Sequence, residues 1–187
     1  MLHNIKNKGF TLIELIIAIL ILAVATIGVY NSFSTVVIFT DGVSSRLTAA
    51  YLAQEGIEIV RNMRDNNWLD VYQGWKKGLS DTNTDCSNGC EADYRTGTLI
   101  DARGGLTSFG SSGNYLNINN NKGFYSYDEV GDFTKTKFKR KITITPDPDS
   151  LRPVLKVSVL VTWKEKEEYG CDYGYCIEAE EYLYNWY

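Results

Sequence analysis

Histidine is almost absent from this chain, with His3 the only one among 187 residues. It stands ahead of a long apolar run, so no Ser-His-Asp or Cys-His arrangement with an imidazole base can be built in the body of the protein. Histidine-ligated zinc is excluded on the same ground. Proline is scarce, with three residues and none before Pro146, so nothing upstream of that point forbids a long helix. A basic surplus is missing too: the net charge of −4 argues against bulk nucleic-acid binding, which needs cations to displace counterions. Nor is there a phosphate-cradling glycine motif. Gly104-Gly105 and Gly110-Ser111-Ser112-Gly113 follow no strong strand and open no helix. An enzyme is therefore the least favoured class, and no cofactor is expected.

What the chain does have is unevenly spread. Hydrophobic residues at 44% and charged residues at 22% are ordinary for a folded protein, so wholesale disorder is not expected. Between Phe10 and Thr40, however, the only charged side chain is Glu14. The stretch from Phe10 to Tyr30 would extend roughly 31 Å as a helix, enough to cross a hydrocarbon core of about 30 Å. Lys6 and Lys8 precede it, which places residues 1–9 in the cytoplasm and the rest outside. A secretory signal cut near Ala23-Val24-Ala25 and an uncut anchor both fit this much. Neither explains Glu14, because a carboxylate within such a run costs roughly 2.5–3.5 kcal/mol on insertion scales.

The segment Lys8-Gly9-Phe10-Thr11-Leu12-Ile13-Glu14 resembles the cleavage and methylation motif of type IV prepilins and pseudopilins. The resemblance implies that a prepilin peptidase cuts between Gly9 and Phe10 and that Phe10 becomes the N-methylated first residue. A glycine at the cut leaves the backbone open to close approach. Because the cut precedes the apolar run, the helix is retained. The resemblance also gives Glu14 a partner, the N-terminal amine of a neighbouring subunit, so that Glu14 would set the register of assembly. Further implied partners are other pilin subunits bundled through their helices, an assembly platform with its ATPase machinery, and membrane lipid before assembly. The implied location is a single-pass cytoplasmic membrane protein with its head outside, then a filament or the cell surface. A pseudopilin of a type II secretion system is the alternative within the family. An exported binding domain is the alternative outside it.

Beyond the membrane run, Val43, Leu47, Ala50, Ala53, Ile57 and Val60 recur at steps of three and four, which extends the helix to about Asn66. Gly28, Gly42 and Gly56 each weaken it by about 1 kcal/mol relative to alanine. Residues 67–135 are loop-rich, with two short strands expected around Tyr115–Ile118 and Gly123–Tyr127. From residue 136 onward the pattern is β. Leu155, Val157, Val159, Val161 and Trp163 alternate, as do Tyr182, Tyr184 and Trp186. A tight hairpin at Asp172–Tyr175 would pair Trp163 with Tyr184 and Val161 with Trp186. The expected fold class is α+β and pilin-like. A long N-terminal helix, membrane-spanning in its apolar half, packs by its C-terminal half on a small antiparallel sheet. The expected divisions are a leader at 1–9, the membrane or filament-core helix at 10–30, its amphipathic continuation at 31–66, the connecting region at 67–135 and the sheet at 136–187.

Four cysteines in two close pairs, at an extracytoplasmic address, point to disulfides. Cys86–Cys90 with Cys171–Cys176 is the favoured pairing. A bridge between the two pairs is its rival, and a four-thiolate zinc site is weaker because the address is oxidising. No metal site is expected. Lys135, Lys137, Lys139, Arg140 and Lys141 form one basic run. It reads chiefly as an edge strand protected by charge, with Glu165, Glu167, Glu168, Glu178, Glu180 and Glu181 as candidates to stand opposite; a contact with DNA is the lesser reading. Asp81-Thr82-Asn83-Thr84-Asp85 opens like a calcium loop, but Cys86 stands where the sharp-turn glycine belongs and Ala92 where the bidentate glutamate should be.

Overall fold

The computed structural model describes residues 9–70, 74–81, 84–97, 104–110, 114–147, 153–163, 171 and 174–185. Lys6, Lys8, Glu165, Glu167, Glu168, Trp186 and the expected turn residues Asp172 and Tyr173 lie outside that set. A single helix, α1, runs Leu12–Leu69, and seven strands follow: β1 Cys90–Glu91, β2 Thr107–Ser108, β3 Tyr115–Asn119, β4 Tyr125–Ser126, β5 Phe133–Pro146, β6 Val154–Thr162 and β7 Cys176–Tyr184. The architecture is α+β: one long N-terminal helix, then an antiparallel sheet. The chain divides into two compact units, Met1–Ser44 and Ser45–Tyr187.

In the second unit the sheet is organised around β5. One edge of this strand carries β3 along Phe133–Lys139 and then β1 at Ile142; the other edge carries β6 along Lys139–Pro146. β6 in turn pairs with β7 over its whole length, and among the described residues β7 has no further strand partner. β3 and β4 pair through Asn117–Ser126 and Ile118–Tyr125, so the two short strands expected from sequence form their hairpin. The inner face is built by alternation: Phe138, Ile142 and Ile144 of β5, Leu155, Val157, Val159 and Val161 of β6, and Leu183 of β7 are all buried. They pack in one cluster with Ala49, Leu52, Ala53, Ile57, Val60 and Met63 of α1.

Three expectations change here. The buried stripe of the helix is Ser45, Ala49, Leu52, Ala53, Gly56, Ile57, Val60 and Met63, whereas Val43 and Leu47 are exposed. Ile59 and Arg64 are buried as well, and the small residues Ser45, Ala49, Ala53 and Gly56 let the helix lie close to the sheet. A Cβ at Gly56 would stand 2.8 Å from Val159 Cγ1 and 3.2 Å from Arg140 Cδ, so Gly56 is where contact is tightest.

The register of the last two strands also differs. Val161 faces Ile177 and Leu155 faces Leu183, while Thr162 faces Cys176. Trp163 lies beyond the last strand pair, its N–H donating to the Tyr175 carbonyl at 3.2 Å. The β6–β7 connection is therefore residues 163–175 rather than a tight turn at Asp172–Tyr175. An odd shift of register moves the aromatic residues to the other face, and Tyr182 and Tyr184 are accordingly exposed. The inward set is the sparser Ile177, Ala179, Glu181 and Leu183. Of these Glu181 is held by Arg61 of the helix, whose Nη2 donates to both carboxylate oxygens at 2.8 and 2.7 Å. That pairing raises the Arg61 pKa above its ordinary value, chiefly through the hydrogen bond to Glu181.

The third change concerns the basic run. β5 has strands on both of its edges only along its second half, Lys139–Pro146, while along Phe133–Phe138 β3 is its one strand neighbour among the described residues. Lys139 and Lys141 therefore sit in an interior stretch and not at an edge, whereas Lys135 and Lys137 lie where one edge carries no strand among the described residues; all four occupy one face of the sheet. Glu178 and Glu180 stand on β7 with β6 between, and the cation that meets Glu180 is Lys156 of β6, at 2.7 Å.

Candidate functional site

The N-terminal segment is organised by its helix start. Thr11 precedes the first helical residue, and its Oγ1 accepts the Glu14 backbone N–H at 3.4 Å, while the Thr11 carbonyl accepts Leu15 N–H at 3.2 Å. Thr11-Leu12-Ile13-Glu14 thus has the spacing of a capping box, threonine at the cap and glutamate three residues on. Only the threonine half is formed. The Glu14 carboxylate meets no cation among the described residues. Sequence reasoning assigned Glu14 to assembly alone and missed this cap, although the Thr-x-x-Glu spacing was there to be read.

The helix that follows is apolar and unburied. Its most apolar 18-residue window has a mean hydropathy of 2.9 with no residue buried, so it is long and apolar enough to cross a membrane. Phe10, immediately ahead, is 81% exposed. Gly9, like Gly28 and Gly42 of the helix, is not called for by close packing. A Cβ there would meet nothing within 4 Å, and its φ is not positive, so neither packing nor backbone conformation within the chain calls for glycine.

In the head, the cysteines are joined as Cys86–Cys90 and Cys171–Cys176, with Cα atoms 5.2 and 5.3 Å apart. The first bridge is buried. It closes a turn in which Gly89 N–H donates to the Cys86 carbonyl, and that carbonyl also accepts Ile144 N–H of β5 at 3.2 Å. The second lies nearer the surface, at the start of β7, where Arg46 Nη2 reaches the Gly174 carbonyl at 3.5 Å.

The basic run separates by parity. Lys135, Lys137, Lys139 and Lys141 share the outer face, and Arg140 is fully buried. Arg140 Nη1 donates to the Leu52 carbonyl at 3.0 Å and to Glu55 Oε2 at 2.9 Å; its Nη2 donates to the Ala92 carbonyl. Arg140 is thus a structural tie between α1, β5 and the segment after β1, and no part of a surface patch. On the outer face Lys135 and Lys139 each place Nζ 4.4 Å from the centroid of the Tyr115 ring.

The aspartates of the calcium-like segment are occupied by turns. Asp81 Oδ2 accepts Gly78 N–H and its Oδ1 accepts Thr84 N–H, both at 2.8 Å. Asp85 Oδ1 accepts Ser87 N–H at 2.9 Å, and hydrogen bonding from Ser87 holds the Asp85 carboxyl below its usual pKa. Among the described residues no group of three or more His, Cys, Asp or Glu is placed to hold a metal ion.

Residues 4–30 match the family model of the prokaryotic N-terminal methylation motif. This is the type IV prepilin-type signal; it supports a pilin-like or pseudopilin-like processed subunit and is not the mark of an enzyme family. No curated protein and no solved structure matches the chain.

Proposed function

From the prepilin-type signal at residues 4–30, we propose that this protein is a pilin or minor pilin, a structural subunit of a type IV pilus or related filament. Prepilin peptidase cuts between Gly9 and Phe10, and Phe10 is N-methylated. The apolar part of α1 stays in the membrane with the head outside, then enters the filament core. There Glu14 pairs with the N-terminal amine of a neighbouring subunit. The observation that carries this reading is the match over residues 4–30. One feature supports it: a carboxylate on an exposed apolar helix that meets no cation among the described residues. A pseudopilin of a type II secretion system carries the same signal and is the alternative.

Intact mass and N-terminal sequencing of the protein recovered from cell envelopes test the processing. The expected product begins at Phe10 and carries one added methyl group. A chain beginning at Thr26, or an intact Met1, would sink the reading in favour of ordinary export or a plain anchor.

A further inference from the structure

The three long strands arrange charge in columns across the outer face of the sheet. Lys141 of β5 stands opposite Leu160 of β6, and Leu160 opposite Glu178 of β7, so one row runs cation, apolar, anion. With strands about 4.8 Å apart, the two charged residues are about 10 Å from one another, too far to pair within the chain. Thr143, Ser158 and Glu180 form the next row, and Thr145, Lys156 and Tyr182 the one after.

Both charges of the first row have neutral partners. Lys141 places Nζ 5.6 Å from the centroid of the Phe109 ring, and Glu178 Oε1 accepts the Ser158 hydroxyl at 2.5 Å. Neither contact cancels a charge, and among the described residues neither side chain meets an ion of opposite sign. Lys156, the cation of the middle column, is neutralised by Glu180 at 2.7 Å. The face thus has a positive side, a neutral centre and a negative side, with the Tyr182 ring 44% exposed on the last.

Such a face is complementary to itself. A half-turn about an axis running along β6 exchanges its positive and negative sides. We propose that the outer face of the sheet docks a second copy of this chain, face to face about that two-fold axis, with Lys141 of each copy on Glu178 of the other. The same rotation brings Leu160 against its own counterpart, the Thr143 hydroxyl against Glu180, and Thr145 over the exposed Tyr182 ring. Every contact is made twice, as in any isologous interface. Sheets packed face to face keep their strands roughly aligned, which this axis satisfies. A nucleic acid or an anionic membrane would meet attraction on the lysine side and repulsion on the glutamate side. The contact lies wholly in the head and is separate from assembly through α1, so it stands or falls apart from the pilin reading.

The test follows self-association of the full chain in detergent micelles, by energy transfer between labelled copies on dilution. Lys141→Glu and Glu178→Lys should each weaken association about tenfold or more, because either one turns two attractive contacts into two repulsive ones. An equimolar mixture of the two variants should associate about as tightly as the wild type, since the mixed pair restores both contacts with their signs exchanged. A variant that merely misfolds cannot give that rescue. Lys122→Glu, an equal change of charge on the exposed β3–β4 turn outside these rows, should leave association unchanged. The proposal is overturned if the wild-type chain does not associate, if either charge reversal associates like the wild type, if the mixture stays as weak as its components, or if Lys122→Glu weakens association as much as Lys141→Glu.

Discussion

A guanidinium with no solvent contact persists only where its donors find acceptors, because an ion left unpaired in the interior is strongly disfavoured. Arg140 meets this condition through its two terminal nitrogens, which reach three acceptors on two segments, the Leu52 carbonyl, Glu55 and the Ala92 carbonyl, while its Nε has no partner among the described residues. Removing it takes the charged donor from the Ala92 carbonyl and from the partly buried Glu55 carboxylate, whereas the Leu52 carbonyl keeps its place in the helix ladder. Arg140→Met, which keeps much of the volume, is therefore expected to destabilise the head by about 2–4 kcal/mol. Lys137→Met, on the exposed side of the same strand, should cost under about 0.5 kcal/mol. Urea unfolding of the two variants followed by circular dichroism checks this, and equal midpoints would remove Arg140 from its structural role. The sequence contained the warning. Phe138, Arg140, Ile142 and Ile144 share one parity while the lysines hold the other, so alternation alone separates the arginine from the run it was grouped with.

At the level of elements, helix and sheet meet where Gly56 lies under Val159 and Arg140. Intrinsic propensity treats Gly28, Gly42 and Gly56 alike, as positions that alanine would improve by about 1 kcal/mol. Packing separates them, since a Cβ at Gly28 or Gly42 meets nothing within 4 Å. Gly56→Val should destabilise the head by about 2–3 kcal/mol through overpacking. Adding Val159→Ala to that variant should recover part of the loss, because the two side chains compete for one space. Thermal unfolding of the single and double variants decides it; strictly additive losses would mean that the contact does not limit packing. Such a glycine is invisible to periodicity, which registers only that a small residue falls on the buried stripe.

The β6–β7 register was hidden for a related reason. β7 offers two period-two patterns, an aromatic one through Tyr182 and Tyr184 and a sparse one through Ile177, Ala179 and Leu183. The richer pattern suggested the buried face. The observed register turns the sparse one inward, where Arg61 holds Glu181 on the helix side. That contact is a tertiary fact. The β3–β4 hairpin and the alternation of β6, by contrast, depend on neighbours a few residues apart and were legible directly.

Across the whole chain, fold class followed from an apolar run, a helical stripe and alternating strands, whereas function is written in residues 4–30 alone. The side chain on which the proposed assembly turns is Glu14, and its proposed role can be weighed by magnitude. Buried in lipid it costs roughly 2.5–3.5 kcal/mol. An ion pair with an amine at about 4 Å, at an effective dielectric near 20, returns about 4 kcal/mol. A membrane-stored subunit is therefore penalised by Glu14, and an assembled one is close to neutral. Glu14→Ala removes both terms. The membrane pool should then be maintained or rise, while the fraction recovered in sheared filaments falls at least tenfold, since each subunit loses the contact that favours docking in one register. Quantifying the chain in membrane and sheared fractions from the same cells separates this from simple instability, which would deplete both. Because Thr11 rather than the Glu14 side chain caps the helix start, the substitution leaves the formed half of the cap in place, and a loss confined to filaments would trace to the carboxylate itself. Wild-type filament yield from the Glu14→Ala chain would remove Glu14 from assembly and leave its presence in the apolar helix to the capping box.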